Sequence, residues 1–389
     1  MPNARLPIPA ASETGDPLLL TPGPLTTSKS VKAAMLHDWG SRDATFIRLN
    51  KEMRERITEA AGGAGTHTTV PMQGSGTFAV EAMIGSFVPK NGKLLILVNG
   101  AYGTRAARIC QYAGRAYAVL ETPEDTPPDL AKLEATLKAD AAVTHVFVVH
   151  CETTSGILNP VREVAAIVAR AGRRLLIDSM SAFGALPIDA REVRFDALAS
   201  SSNKCLEGVP GFGFIVCDRQ AIENAKGNAH SLSLDLHDQW KALEATGQYR
   251  FTPPIHAIVA LHQAIAEFVA EGGVAGRGAR YRENCRVLVE GLRAMGFETL
   301  LPDRLQAPII VTFHMPADPR FRFDAFYDRL RERGYVIYPG KLTVADSFRI
   351  GCIGRLGEAE MRGALAAIRA VLDELGVRSG TPALHAASA

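Results

Sequence analysis

The 389-residue sequence has no uninterrupted apolar run of about 18 residues, so no membrane-spanning helix is expected. It has no strong excess of basic charge: 43 Lys+Arg stand against 41 Asp+Glu, a net +2, which argues against a nucleic-acid partner. It has no Cys-x-x-Cys pair. Cys110, Cys151, Cys205, Cys217, Cys285 and Cys352 are scattered and read as reduced thiols. The first sixteen residues carry no apolar core of signal-peptide length, so a cytoplasmic protein is expected. Also missing are His-Glu-x-x-His, Gly-x-Ser-x-Gly, a Walker A loop and any cluster with zinc-ligand spacing, so no metal is expected.

What is present is an ordinary globular composition, 47% hydrophobic and 22% charged, which excludes disordered and fibrous classes. Short apolar runs alternate with helical patterns: Leu94–Val98, Ala116–Leu120, His145–Val149 and Arg174–Ile177, with helices over 129–139 and 161–171 between them. Runs that are apolar throughout indicate strands buried on both faces of a largely parallel sheet. The last third changes character. Helical stripes (Ile258, Leu261, Ile265, Phe268; later Met361, Leu365, Ile368, Leu372) flank a strand at Ile309–Phe313. The expected organisation is a loose segment 1–16, a large α/β domain 17–257, a smaller α+β domain 258–376 and a loose tail 377–389.

Three stretches carry chemistry. Ser200-Ser201-Ser202-Asn203-Lys204 follows a strand end and precedes a Gly-Pro-rich turn. Taken alone, Lys204 is either a solvated loop lysine or a confined amine with a lowered pKa, as a Schiff base requires. Asp178 ends the apolar run Leu175–Ile177, where ligand sites of open α/β sheets lie; it is either a helix cap or a partner for a protonated ring nitrogen. Ser75, Gly76 and Thr77 open a helix, giving either a capped turn or a phosphate cradle. Tyr102, after Asn99-Gly100, stacks on a flat ring or simply packs. Arg349, between Phe348 and Ile350, binds either an internal carboxylate or a substrate anion. His145 and His150 read as structural. Arg42 is a second candidate anion contact, although a surface helix end fits it as well.

Leu18-Leu-Leu-Thr-Pro-Gly-Pro-Leu-Thr-Thr27, Gln73-Gly-Ser-Gly76, Val98-Asn-Gly-Ala-Tyr-Gly103, Glu152-Thr-Thr154, Ser201–Phe212, Arg250-Phe-Thr252 and Phe348-Arg-Ile-Gly351 together resemble class V aminotransferases of pyridoxal-phosphate fold type I. Ser231-Leu-Ser-Leu-Asp-Leu236 and Val336-Ile-Tyr-Pro-Gly-Lys341 are similar to the branch acting on 2-aminoethylphosphonate and pyruvate. The resemblance covers about residues 18–375. It implies pyridoxal 5'-phosphate tethered to Lys204, with Asp178 at the ring nitrogen and Tyr102 stacked on the ring. Thr153 would lie beside the phenolic oxygen, and Ser75, Gly76 and Thr77 would hold the phosphate. Asn203 stands where some relatives carry Gln. Tyr249 and Thr252 would reach the phosphate in a neighbouring subunit, hence a homodimer. Arg349 and Gly23 would contact the substrate. The alternative is an alanine–glyoxylate or serine–pyruvate type enzyme, because a carboxylate satisfies Arg349 equally.

Overall fold

The structure is a computed structural model and describes residue 9, residues 12–342 and residues 345–383. The chain forms two compact units. The first comprises Ser30–Glu152 and Leu158–Arg277. The second comprises the described residues up to Lys29, Thr153–Ile157 and those from Gly278 onward.

The first unit is built on seven strands: β1 (His67–Gln73), β2 (Lys93–Val98), β3 (Ala116–Glu121), β4 (Val143–Val149), β5 (Arg174–Asp178), β6 (Ala197–Ser201) and β7 (Phe212–Asp218). Their order across the sheet is β1-β7-β6-β5-β4-β2-β3. Pairing is parallel except at β7, which runs antiparallel to both β1 and β6. Apart from edge strand β3, which is largely exposed although its run implies burial, the apolar runs are continuous because both faces are covered. Leu95, Leu97, Val146, Val148 and Ile177 pack into one core, with helices Val161–Arg170 and Ile255–Ala270. Their neighbours Leu94, Ile96, Phe147 and Leu176 face the opposite core, with helices Gly76–Phe87 and Ala101–Tyr112. Successive side chains of a strand point to opposite faces, so one run serves two cores.

The expected division at 257/258 falls inside helix Ile255–Ala270. The stripe Ile258, Leu261, Ile265 and Phe268 is buried in the large sheet's core. Helical periodicity marks an apolar face without saying which core it meets.

In the second unit, β8 (Ile310–His314), β9 (Tyr338–Pro339) and β10 (Ser347–Gly351) form an antiparallel sheet in the order β8-β10-β9. Leu18–Leu19 pairs in parallel with Tyr335–Val336. Phe297, Phe313, Phe321, Phe326 and Phe348 make its aromatic core. Much of the two segments expected to be loose (1–8, 10–11 and 384–389) lies outside the described residues. Residues 377–383 differ from that expectation. Val377 is buried, Gly380 N–H donates to Met295 O at 2.8 Å, and Ala317 N–H donates to Thr381 O at 2.8 Å.

Candidate active site

The carboxyl ends of β1, β4, β5 and β6 point the same way. Asp178 lies opposite Val149 on one side and Ala199 on the other. Beyond these ends, in the first unit, is a cavity of about 190 Å³ lined by residues 75–77, Tyr102, Arg105, Asp178, Ser201, Asn203 and Lys204. Gly74 has φ +110°, the left-handed region that favours glycine, and turns the chain from β1 into helix Gly76–Phe87. A Cβ on Gly76 would stand 2.4 Å from Met180 Sδ, so the helix opening packs directly against the Met180 side chain two residues after Asp178. The Ser75 side chain does not cap this helix. Its first N–H groups therefore meet the cavity without that internal acceptor, and the positive end of the helix favours an anion there.

Asp178 is buried, and its Oδ1 accepts from Met180 N–H at 3.0 Å. Burial pushes its carboxyl up to about 6, while the Met180 N–H and the charges of Arg105 and Lys204 pull it back down. Its backbone is fixed as well: His150 N–H donates to Asp178 O at 2.8 Å. The His150 ring lies 3.0 Å from Ser179 Oγ, and burial lowers its pKa to about 4, so it is neutral and structural.

Lys204 sits in a turn closed by Gly208 N–H to Ser202 O (2.8 Å) and by Ser202 Oγ to Val209 O (2.5 Å). Glu207 has φ +61°, costly for a residue with a Cβ, and the surroundings hold it there. Fully buried Arg277 donates to Cys205 O at 2.5 Å and to Glu271 Oε2 at 2.6 Å, and lies 3.6 Å from Glu207 Oε1. Removing one partner of such a buried network costs about 3–5 kcal/mol, so the loop next to the lysine is rigid.

Other singled-out residues lie elsewhere. In the second unit, Arg349 is buried on the central strand β10, donating to Thr153 O at 2.8 Å and to Pro339 O at 3.0 Å. Gly23 belongs to the turn after Leu18–Leu20, which meets the same strand: Gly351 N–H donates to Leu20 O at 2.9 Å. Gly23, Thr153 and Arg349 are thus brought into one unit. Tyr249 and Thr252 line a different cavity of the first unit, about 330 Å³, together with Arg42 and Arg250. The Tyr249 hydroxyl donates inward to Asn50 Oδ1 at 2.9 Å.

A family model of class V aminotransferases matches residues 26–332. The chain belongs to the class V aminotransferase family. It is 52% identical to a 2-aminoethylphosphonate–pyruvate transaminase of Pseudomonas fluorescens, over 93% of this chain and 98% of that protein. With the protein of the same name from Pseudomonas aeruginosa, identity is 53% over 93% and 97%. An alanine–glyoxylate aminotransferase from Nostoc sp. superposes with a TM-score of 0.85 at 25% identity, over 93% of this chain and 97% of that one. Pyridoxamine-pyruvate aminotransferase from Mesorhizobium loti gives 0.84 at 23%, over 95% and 96%, and attests the fold. The fold of this aminotransferase is fold type I, as its motifs implied.

The donor set of this aminotransferase fits a phosphorylated pyridine aldehyde on the structure's own terms. There is a helix N-terminus for an anion, an aromatic side wall, a carboxyl at the cavity and an amine. Ser201 Oγ adds a buried hydroxyl with no protein partner among the described residues. Sequence reading gave no role to Arg105, Ser201, Arg277 or Glu152. Glu152 is fully buried, and its Oε2 accepts the Tyr102 N–H at 3.1 Å, fixing the turn that carries the ring. Arg105 had a signal available, since it lies three residues after Tyr102 on one helix and therefore shares its face. Arg277 had none, because its partners are distant in sequence.

Proposed function

We propose that this aminotransferase moves the amino group of 2-aminoethylphosphonate to pyruvate, giving phosphonoacetaldehyde and L-alanine. The observation that carries this reading is 52–53% identity, along nearly the whole of both chains, with transaminases named for that reaction. The Nostoc alanine–glyoxylate enzyme shares the fold at 25% identity, a much weaker basis for the alternative. The cofactor is pyridoxal 5'-phosphate, which when bound supplies a cationic ring that accepts the electrons left on the substrate carbon as its proton departs.

The chain's residues divide the remaining work. Lys204 Nζ would be the amine that holds the aldehyde. Its free amine would be the base that moves the proton at the substrate's amine-bearing carbon. Asp178 would hold the ring nitrogen protonated. A cation beside it offsets the burial that otherwise raises its carboxyl to about 6. Residues 75–77 would hold the phosphate, Tyr102 one face of the ring, and Ser201, Asn203 and Thr153 its polar edge. Arg349 would take the phosphonate in one half-reaction and the pyruvate carboxylate in the other, since a guanidinium fork matches both oxyanions. Gly23 would leave room beside the substrate. Tyr249 and Thr252, in a separate cavity, would serve the cofactor of a second subunit, making the enzyme a homodimer. Its setting is the cytoplasm.

The test is a donor panel. Purified enzyme is given 2-aminoethylphosphonate, alanine or serine with pyruvate or glyoxylate, and the aldehyde or keto-acid product is quantified. The expected result is a kcat/KM for 2-aminoethylphosphonate with pyruvate at least tenfold above every other pair. Efficient alanine–glyoxylate exchange without phosphonoacetaldehyde would establish the alternative.

A further inference from the structure

The anion cradle at residues 75–77 is made of neutral groups and a helix end. A helix terminus offers roughly half a positive charge, too little to balance a phosphate near −2. Two cations line the same cavity: Lys204, which the reading above assigns to the aldehyde, and Arg105. Arg105 projects one turn beyond Tyr102 on helix Ala101–Tyr112. Its Nη1 donates to Thr77 Oγ1 at 3.2 Å, and its guanidinium carbon lies 4.8 Å from the centre of the Tyr102 ring. A hydroxyl that accepts from arginine keeps its own proton free to donate. The Arg105–Thr77 bond therefore turns the Thr77 hydroxyl into a donor for whatever the cradle holds.

We propose that Arg105 is the charge partner of the phosphate cradle, so that it sets the preference of this site for a phosphorylated ring over the same ring without phosphate. The assignment rests on the cofactor reading above and adds a residue to it. The stack on Tyr102 holds the guanidinium at the cavity wall, where its fork would meet an anion in the cradle.

The test compares cofactor-free wild type, Arg105→Gln and Arg105→Lys. Each is titrated with pyridoxal 5'-phosphate and, separately, with pyridoxal, and followed by absorbance of the bound aldehyde and by protein fluorescence. Melting temperatures confirm folding. The expected result is that Arg105→Gln weakens pyridoxal 5'-phosphate at least tenfold and pyridoxal less than twofold, with Arg105→Lys in between because it keeps the charge. Inorganic phosphate should compete with pyridoxal 5'-phosphate in wild type and less so in Arg105→Gln. Equal weakening of both ligands would make Arg105 a support for the Tyr102 ring and overturn the proposal, as would no weakening of either. A wild type that binds neither aldehyde would sink the cofactor reading itself, a different failure from unchanged variants of a wild type that binds.

Discussion

The two units handle charge in opposite ways. In the first, the cavity is bordered by many groups of modest individual strength: a helix end, hydroxyls at 75, 77 and 201, a carboxyl at 178, and the cations Arg105 and Lys204. They stand at the last residues of sheet strands, in the loops beyond them or in the opening turns of the helices that follow. In the second, a single guanidinium, Arg349, is buried on the central strand of a three-stranded sheet and donates to backbone carbonyls at Thr153 and Pro339. A site spread over strand ends tolerates loss of one member, apart from the one that forms the covalent bond. A site resting on one buried cation does not divide its work. The large unit should therefore show one all-or-none residue and several graded ones, and the small unit one residue affecting every anionic substrate.

Lys204→Ala is the largest break. It removes both the tether and the base, and loss of a positioned base alone costs about 10²–10⁴-fold. Turnover should fall by at least that factor, and the absorbance of the tethered aldehyde should vanish while the fold persists. A variant with full turnover would move the catalytic amine elsewhere.

Asp178→Asn is smaller and reverses sign with the state of the protein. Its carboxyl sits at about 6 in the folded chain against an ordinary 3.8, chiefly through burial. Between those values the folded state binds more protons than the unfolded one, so stability falls as pH rises from about 4 to about 6 and is level above. Asparagine lacks this dependence. In the cofactor-free protein the variant should match wild type near pH 4 and exceed it above pH 7, by on the order of 3 kcal/mol at most. With cofactor bound the order should invert, because the ring cation then needs the carboxylate. Urea unfolding at the two pH values, with and without pyridoxal 5'-phosphate, reads both signs. A cofactor-free variant weaker than wild type at pH 7.5 would mean that the carboxylate already has a partner worth more than its burial.

Much of this contrast is visible in the sequence, and the physics says which part. Asp178 closes an apolar run, Lys204 and residues 75–77 come within a few residues of one, and the end of a parallel strand is where such residues meet a ligand. The same runs announce a sheet covered on both faces. Pairings across long stretches of chain leave no local trace. The burial of Arg277 against Glu207 and Glu271, the carbonyl of Thr153 under Arg349, and the assignment of helix Ile255–Ala270 to the large core depend on contacts that no periodicity encodes. The antiparallel β7 was hidden for a related reason: its residues read like those of its parallel neighbours, and only the connection decides direction.

Arg349→Lys is the smallest break and the one that sharpens the comparison most. Lysine keeps the charge but loses the planar fork, so it cannot donate to Thr153 O and Pro339 O while also presenting two parallel N–H groups to an oxyanion. Losing charge-assisted hydrogen bonds of about 1.5–3 kcal/mol predicts KM values roughly 10–100-fold higher for 2-aminoethylphosphonate and for pyruvate alike. Affinity for pyridoxal 5'-phosphate should change less than twofold, since every group proposed for the phosphate and ring nitrogen belongs to the other unit. A rise confined to one substrate would mean that phosphonate and carboxylate are held by different residues. In that case Arg42, which lines the Tyr249–Thr252 cavity, would be the first position to substitute in search of the second anion contact.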